Sequence, residues 1–349
     1  VIDFVWGYER MKIYFSLAIG VLLLYSVGAA AHHSHASLDP DNVRQQTGVV
    51  TQFSWRMPHV FIKLDGPNAQ GELVEWTIEL LHPAGMAERG WDKDSLKPGE
   101  RIIWEGKMDF DPNRYYSGLV WAEKADGTRL DNTGSSTGSG YTGLPTQVDP
   151  STDFTGMWVR DQRVGFTYFP PGDWPYTALA QNKVDAFSEA QNPQFNCEDP
   201  GPPKSTLLPY PILISRPDSN TIVLDYDMRD QQRVLHLDRD IVAGPASKVG
   251  QSKAWMEGDE LVVETSNFVA DVWGSYTGVD SSDQKHLIER FSLIEGGNTL
   301  RIQMTLTDPV FLTRPVQIDY YMRKMHTRDL LPESCSLEAA RLFIEAGYQ

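Results

Sequence analysis

Residues 252–266 read SKAWMEGDELVVETS, two strand-like runs, Ser252–Met256 and Leu261–Ser266, parted by Gly258-Asp259. A run that stops at Gly-Asp and resumes at once predicts a β-hairpin, because a tight turn needs a residue tolerant of left-handed backbone. The pattern extends in both directions. Upstream lie Leu208–Arg216, Thr221–Asp227 and Arg233–Asp238; downstream lie His286–Ile294, Leu300–Thr307 and Val316–Lys324, with a turn at Gly296-Gly297-Asn298. Gly156-Met157-Trp158 opens the series on a strand. One amphipathic helix follows it, with Tyr176, Ala180, Val184 and Phe187 on one stripe, and a second helix, Ser336 to Ala346, closes the chain. So many consecutive strands favour a closed barrel, because closure leaves no exposed edge.

The N-terminal half carries a shorter series. Strands are predicted near Val43–Trp55, Val60–Leu64 and Leu73–Leu81, then a short helix near Pro83–Arg89, then strands near Arg101–Lys107 and Leu119–Lys124. Three strands, a helix and two strands is the order of a small OB-fold-like barrel. Alternation puts Val60, Ile62 and Leu64 on one face, as it does Val74, Trp76, Ile78 and Leu80. His59, Glu75, Thr77 and Glu79 fall on the opposite, wetter face. Between the two halves, 131–152 is rich in Gly, Ser, Thr and Pro and reads as a flexible linker. The expected organisation is an upstream and signal segment (1–31), an OB-fold-like domain (32–130), that linker, and an antiparallel barrel domain with a C-terminal helix (153–349). The fold class is all-β.

Met11-Lys12, the apolar run Ile13 to Val27 and the small residues Gly28-Ala29-Ala30-Ala31 have the order of a secretory signal peptide, with cleavage after Ala30 or Ala31. The run of about fifteen apolar residues is short for a membrane span, which takes roughly twenty. A periplasmic or secreted protein without an integral membrane segment is expected. The formal net charge is −16, and the removed segment holds Asp3 and Glu9 against Arg10 and Lys12, so the mature chain keeps it. That excludes the basic footprint nucleic acid or an anionic membrane needs. The two cysteines, Cys197 and Cys335, are expected to form one structural disulfide in an oxidising compartment.

Ala31-His32-His33-Ser34, then Trp55-Arg56-Met57-Pro58-His59, Glu75-Trp76, Arg89-Gly90-Trp91 and Leu96-Lys97-Pro98-Gly99 resemble, in order and over about ninety residues, a family of uncharacterised exported bacterial proteins. Those proteins carry Asn before Pro-His, where this chain has Met57. The second half is similar to sequences found with that domain, through Gly250-Gln251-Ser252, Trp255-Met256-Glu257-Gly258-Asp259, Glu289-Arg290 and Asp308-Pro309. Gly156-Met157-Trp158 resembles the first-strand signature of lipocalin-like barrels, which hold apolar ligands. The resemblance implies fold and export and brings no reaction with it.

Two chemistries are written in the residues. The first is metal binding: five of the eight histidines lie in the N-terminal half, with His32, His33 and His35 at the expected mature terminus. Cleavage after Ala31 makes His32 the first residue, whose amine and ring chelate one metal while His59 adds a third nitrogen, as in the histidine brace of exported copper proteins. Cleavage after Ala30 leaves a histidine third from a free amine. Either set is nitrogen-rich and tetragonal, which selects copper. The plainer alternative is a solvated tail, with His59 hydrogen-bonded to Glu75 or Glu79. His82, before Pro83, is expected to cap a helix.

The second chemistry belongs to the larger barrel, as a pocket for a small hydrophobic ligand or, alternatively, the site of an enzyme, a hydrolase, lyase or isomerase, acting on a small hydrophobic substrate. His236 and Asp238 share a strand face and would form an acid–base pair, although the neighbouring Arg233 and Arg239 favour a surface charge cluster. Glu289 or Arg290 is a candidate buried anchor, since odd spacing sends His286 and Glu289 to opposite faces. Ten aromatic residues, Trp158, Phe166, Tyr168, Trp174, Tyr210, Tyr226, Trp255, Trp273, Tyr320 and Tyr321, are candidates for core or pocket. No nucleophile elbow, phosphate loop, dinucleotide fingerprint or His-Glu-x-x-His is present.

Overall fold

A computed structural model describes residues 38–132, 152–161, 170–226, 231–238, 241–242, 244–325, 335–338 and 340–341. Six strands build the N-terminal sheet: β1 (Leu38–Ser54), β2 (Phe61–Pro67), β3 (Leu73–Glu79), β4 (Arg101–Asp109), β5 (Tyr116–Lys124) and β6 (Arg129–Asp131). They lie in the order β3-β2-β1-β4-β5-β6, and an additional β3–β5 pairing bends the first five into a ring. A short helix, Pro83–Ala87, stands between β3 and β4, so the structure has the expected small OB-fold-like barrel. Its interior holds Val60, Ile62, Leu64, Trp76, Ile78, Trp91 and Trp104. The first residues of the expected linker are tied to it: Asp131 ends β6, and the Asn132 amide donates to the Val120 carbonyl at 2.9 Å. Residues 133–151 of the linker lie outside the described residues.

The second half forms a closed barrel in the order β10-β11-β12-β15-β16-β17-β7-β8-β9. Its strands are β7 (Gly156–Arg160), β8 (Ile212–Ser215), β9 (Thr221–Tyr226), β10 (Gln231–His236), β11 (Gln251–Glu257), β12 (Glu260–Ser266), β15 (His286–Ile294), β16 (Thr299–Thr307) and β17 (Val316–Met325). A small hairpin, β13 (Asp271–Tyr276) with β14 (Val279–Ser281), stands apart from it. The hairpin that identified the fold is present: Glu257 pairs with Glu260 across Gly258-Asp259, and Gly258 has φ +63°, where a type II′ turn places its glycine.

Strand count dictates one feature of both rings. Orientations that alternate strictly cannot close a ring with an odd number of members, so a five-strand and a nine-strand ring must each contain a parallel pair. The small barrel has β3 with β5, and the large barrel has β10 with β11. A parallel neighbour also needs a crossover rather than a tight turn, which is why β10 ends at His236 and β11 begins only at Gln251.

The large barrel is filled by side chains. Leu235, Ala254, Val263, Leu287, Met304, Leu306 and Met322 are all 0% exposed, which leaves no water-sized space beside them. The aromatic residues divide: Trp158, Tyr226 and Tyr320 belong to this core, and Trp174 packs on it. Phe166 and Tyr168 lie outside the described residues. No helix among the described residues is long and apolar enough to cross a membrane.

The two barrels touch where Met57 packs on Leu208, Tyr210 and Cys335. Met57 is 2% exposed, so an apolar residue before Pro58-His59 suits this chain. Cys197 and Cys335 are joined by the expected disulfide across 138 residues. Cys335 also forms a bridge with Met57, which sets the covalent link at the junction of the barrels. Of the expected C-terminal helix, residues 337, 338, 340 and 341 are described and helical.

Candidate functional site

Alternation along β3 and the turn before β2 bring His59 and Glu79 together at one edge of the small barrel. The Nδ1 atom of His59 lies 3.0 Å from the Leu80 carbonyl oxygen and 3.1 Å from Glu79 Oε1. A carbonyl only accepts, so Nδ1 carries a proton directed at Leu80, and Glu79 stands beside that N–H rather than along it. In the neutral ring Nε2 is then the lone-pair atom, the arrangement by which a metal-binding histidine is oriented from behind. The His59 side chain is 21% exposed against 2% for Glu79.

Glu79 was expected on a wetter face and is buried. Its strand neighbour across the ring is Gly118 of β5, and Tyr116 on that strand donates its hydroxyl to Glu79 Oε2. Burial, reinforced by the Glu79 charge, raises the Tyr116 phenol well above its ordinary range, so the phenol is the proton donor. Leu38, Phe61 and Tyr116 pack as one cluster, and Phe61 also lies beside the His59 ring. A polar group is thus enclosed on three sides and bordered by an imidazole on the fourth. His32, His33 and His35 lie outside the described residues. Among the described residues no three His, Cys, Asp or Glu side chains group as a metal centre.

His82 caps the helix Pro83–Ala87, its Nδ1 accepting from the Gly85 amide at 3.1 Å. Its ring keeps a strip of exposed surface yet is densely surrounded. Burial, then the charges of His59, Arg89 and Arg160, lowers the ring to about 3, so it is a neutral cap.

In the large barrel, Val234 is exposed and His236 partly so on the outer face, and Asp238 beyond the strand end is exposed. Arg233, expected beside them at the surface, points the other way and is 1% exposed, because odd spacing along a strand reverses the face. Arg239 lies outside the described residues. Arg233 meets Glu289, itself 0% exposed. The guanidinium donates through Nη1 to Glu289 Oε1 at 3.2 Å, through Nε to Ser252 Oγ at 2.9 Å and through Nη2 to Glu289 Oε2 and to Thr265 Oγ1. Burial opposes the Arg233 charge, but Glu289 and Tyr226 outweigh it and raise its pKa. Glu289 is therefore an anchor of the core. His286 and Arg290 stand on the outer face, paired with Glu264 at 2.9 Å and with Glu257 and Glu260.

Sequence reading did not single out Tyr116. A strand tyrosine carries no spacing signal; what distinguishes it is the chain that covers it.

A family described as a family of unknown function (DUF6152) matches residues 21–115, a span that contains both His59 and Glu79. No curated protein and no solved structure matches the chain.

Proposed function

We propose that the protein is exported and binds copper at the edge of its small barrel, with His59 as one ligand and His32, His33 and His35 as the source of the others. The observation that carries this reading is the packing of Leu38, three residues after His35. Leu38 packs against Phe61 and Tyr116, the residues that border His59 and hold Glu79. An extended chain advances about 3.3 Å per residue, so His35 is tethered within roughly 10 Å of Leu38.

The donor set fits the metal. His59 has its Nδ1 proton committed to Leu80, and Glu79 behind it strengthens the ring as a ligand through Nε2. Nitrogen donors in a tetragonal set favour copper, which supplies one-electron redox chemistry when bound. An oxidising destination agrees with the Cys197–Cys335 disulfide. The side-chain-filled interior of the large barrel gives no comparable support to an apolar ligand there.

The test is Cu(II) titration of the exported, processed protein, followed by electron spin resonance, with intact mass to give the cleavage site. Tight uptake at one site with nitrogen coupling is expected, and His59→Ala should weaken it by at least about tenfold. No tight uptake, or uptake unchanged in both His32→Ala and His59→Ala, overturns the reading.

A further inference from the structure

Two residues before His59, Met57 is clamped between the large barrel and the disulfide. Leu208, Tyr210 and Cys335 pack around it, and it is 2% exposed. Cys335 forms a parallel bridge with Met57, and the Ser336 amide donates to the Met57 carbonyl at 3.4 Å. That hydrogen bond is at the long, weak end of the range. The firm tie on Cys335 is its bond to Cys197, which closes the short helix Pro193–Asn196. The helix is itself fixed: Phe195 is buried, Asn192 caps its start, and the Cys197 and Glu198 amides donate to the Gln194 and Pro193 carbonyls at 3.0 and 3.1 Å.

The segment that accepts from His59 rests on the same part of the large barrel. His59 directs its Nδ1 proton at the Leu80 carbonyl, and the Val60 amide donates to Leu81 at 3.0 Å while the Val60 carbonyl accepts from Leu80 at 2.9 Å. His82, next in the chain, sets its ring edge-on to Tyr210 with the centres 5.2 Å apart. His59 and its acceptor therefore both lean on Leu208 and Tyr210, His59 through Met57 and Leu80 through His82. The two supports differ in kind. The second is packing alone, whereas the first is closed by a covalent bond that chemistry can open. Both cysteines are partly exposed, so a thiol has access to them.

We propose, on the copper reading of His59, that the Cys197–Cys335 disulfide is a redox latch on the metal site: closed, it holds Met57 and keeps His59 oriented; opened by a protein dithiol, it frees the turn from Met57 to His59 and weakens copper binding. A thiolate of the dithiol attacks one cysteine sulfur, and the other cysteine leaves as a thiolate. The second thiol of the dithiol then attacks the mixed disulfide and releases the first cysteine. Two electrons and two protons pass to the bridge, which becomes two thiols, and the dithiol becomes a disulfide. The chain has only these two cysteines, so reoxidation within it restores the same bridge. Opening leaves the His59 imidazole and the Glu79 carboxylate chemically unchanged and acts through orientation.

The exported, processed protein is compared as isolated and after reduction by tris(carboxyethyl)phosphine with both thiols capped by iodoacetamide, so that no free sulfur binds metal. Cu(II) affinity is read by competition with a chelator, and amide hydrogen exchange is followed on the metal-free forms. Opening should weaken Cu(II) binding by about tenfold and speed exchange at the Val60 and Ser336 amides, with Trp104 in the small-barrel core as slow as before. In Met57→Ala, which removes the clamped side chain and keeps the disulfide, both forms should bind alike and weakly, a coupling that a bridge serving stability alone does not give. Tight and equal uptake by the two forms of the unmodified sequence, or unchanged exchange at Val60 and Ser336, overturns the latch and leaves the copper reading standing. No tight uptake by the oxidised protein overturns both. A bridge that opens only in denaturant, or whose reduction also releases Trp104, is a staple of the fold and overturns the latch. The unmodified sequence decides the question, so poor folding of Met57→Ala does not affect it.

Discussion

The small barrel buries the Glu79 carboxylate against Tyr116 and a histidine that still reaches its surface, whereas the large barrel buries the Glu289 carboxylate inside a shell of Arg233, Ser252 and Thr265. Both carboxylates are nearly inaccessible, and they differ in what completes them. Glu289 has an always-charged partner and satisfied neighbours, so its network is closed and holds strands β10, β11, β12 and β15 together. Glu79 has a neutral phenol on one oxygen and an imidazole N–H beside the other, so its network opens outward through His59. A closed network specifies a core; an open one orients a group for something outside it.

Removing the disulfide, whose two cysteines both lie in the second half of the chain and whose Cys335 sits beside Met57 at the junction of the barrels, gives the largest expected effect. By loop-closure entropy, a bridge spanning 138 residues stabilises by roughly 5 kcal/mol. Urea unfolding of the Cys197→Ser/Cys335→Ser protein should show a loss approaching that size, and separation of one transition into two would show that the barrels fold as distinct units once Cys335 is no longer held at their junction. Next comes the closed network: Glu289→Ala should cost about 3–5 kcal/mol by leaving Arg233 buried and unpaired. Arg290→Ala, one residue along on the outer face, should cost about 1 kcal/mol or less. Equal costs for the two would contradict the assignment of inside and outside.

The same contrast explains how much was legible in the sequence. Period-two alternation identified the strands of both barrels, because burial on one face writes itself into residue order. It failed at Arg233, where lone charge suggested surface and only the ion pair with Glu289 permits burial. The hairpin β13–β14 was missed, its Trp273-Gly274-Ser275 run having no clear alternation. His59 and Glu79 were correctly given to one face, yet the closure around Glu79 depends on Leu38 and Tyr116. Strand β1 starts at Leu38 rather than Val43 and β5 at Tyr116 rather than Leu119, and the sequence has no marker for those extra residues.

The neutral cap at His82 sharpens the comparison through pH. Its ring titrates near 3 when folded and near 6.5 when unfolded, so between those values the unfolded chain binds the extra proton. Its contribution is therefore present above about pH 6.5 and is lost as pH falls through that window, by at most about 1.4 kcal/mol per pH unit. His82→Asn keeps a side chain that can cap the helix and removes the titration. The variant should lose less stability than the parent between pH 7 and pH 4.5 in urea unfolding; parallel profiles would mean that the ring is solvated.

At the open network the two readouts, stability and copper affinity, separate. Glu79→Gln retains shape and an acceptor for Tyr116 but removes the charge behind His59, so unfolding free energy should fall by about 1–3 kcal/mol. Copper affinity should fall by about ten- to a hundredfold, because the residue that orients and polarises the imidazole is altered while the imidazole remains. Tyr116→Phe removes the hydrogen bond that Glu79 Oε2 accepts and leaves the Glu79 charge. If Glu79 serves only the core, both substitutions should lower stability and leave copper uptake alone. If it serves His59, the glutamine variant should bind copper more weakly than the phenylalanine variant even where their stabilities match.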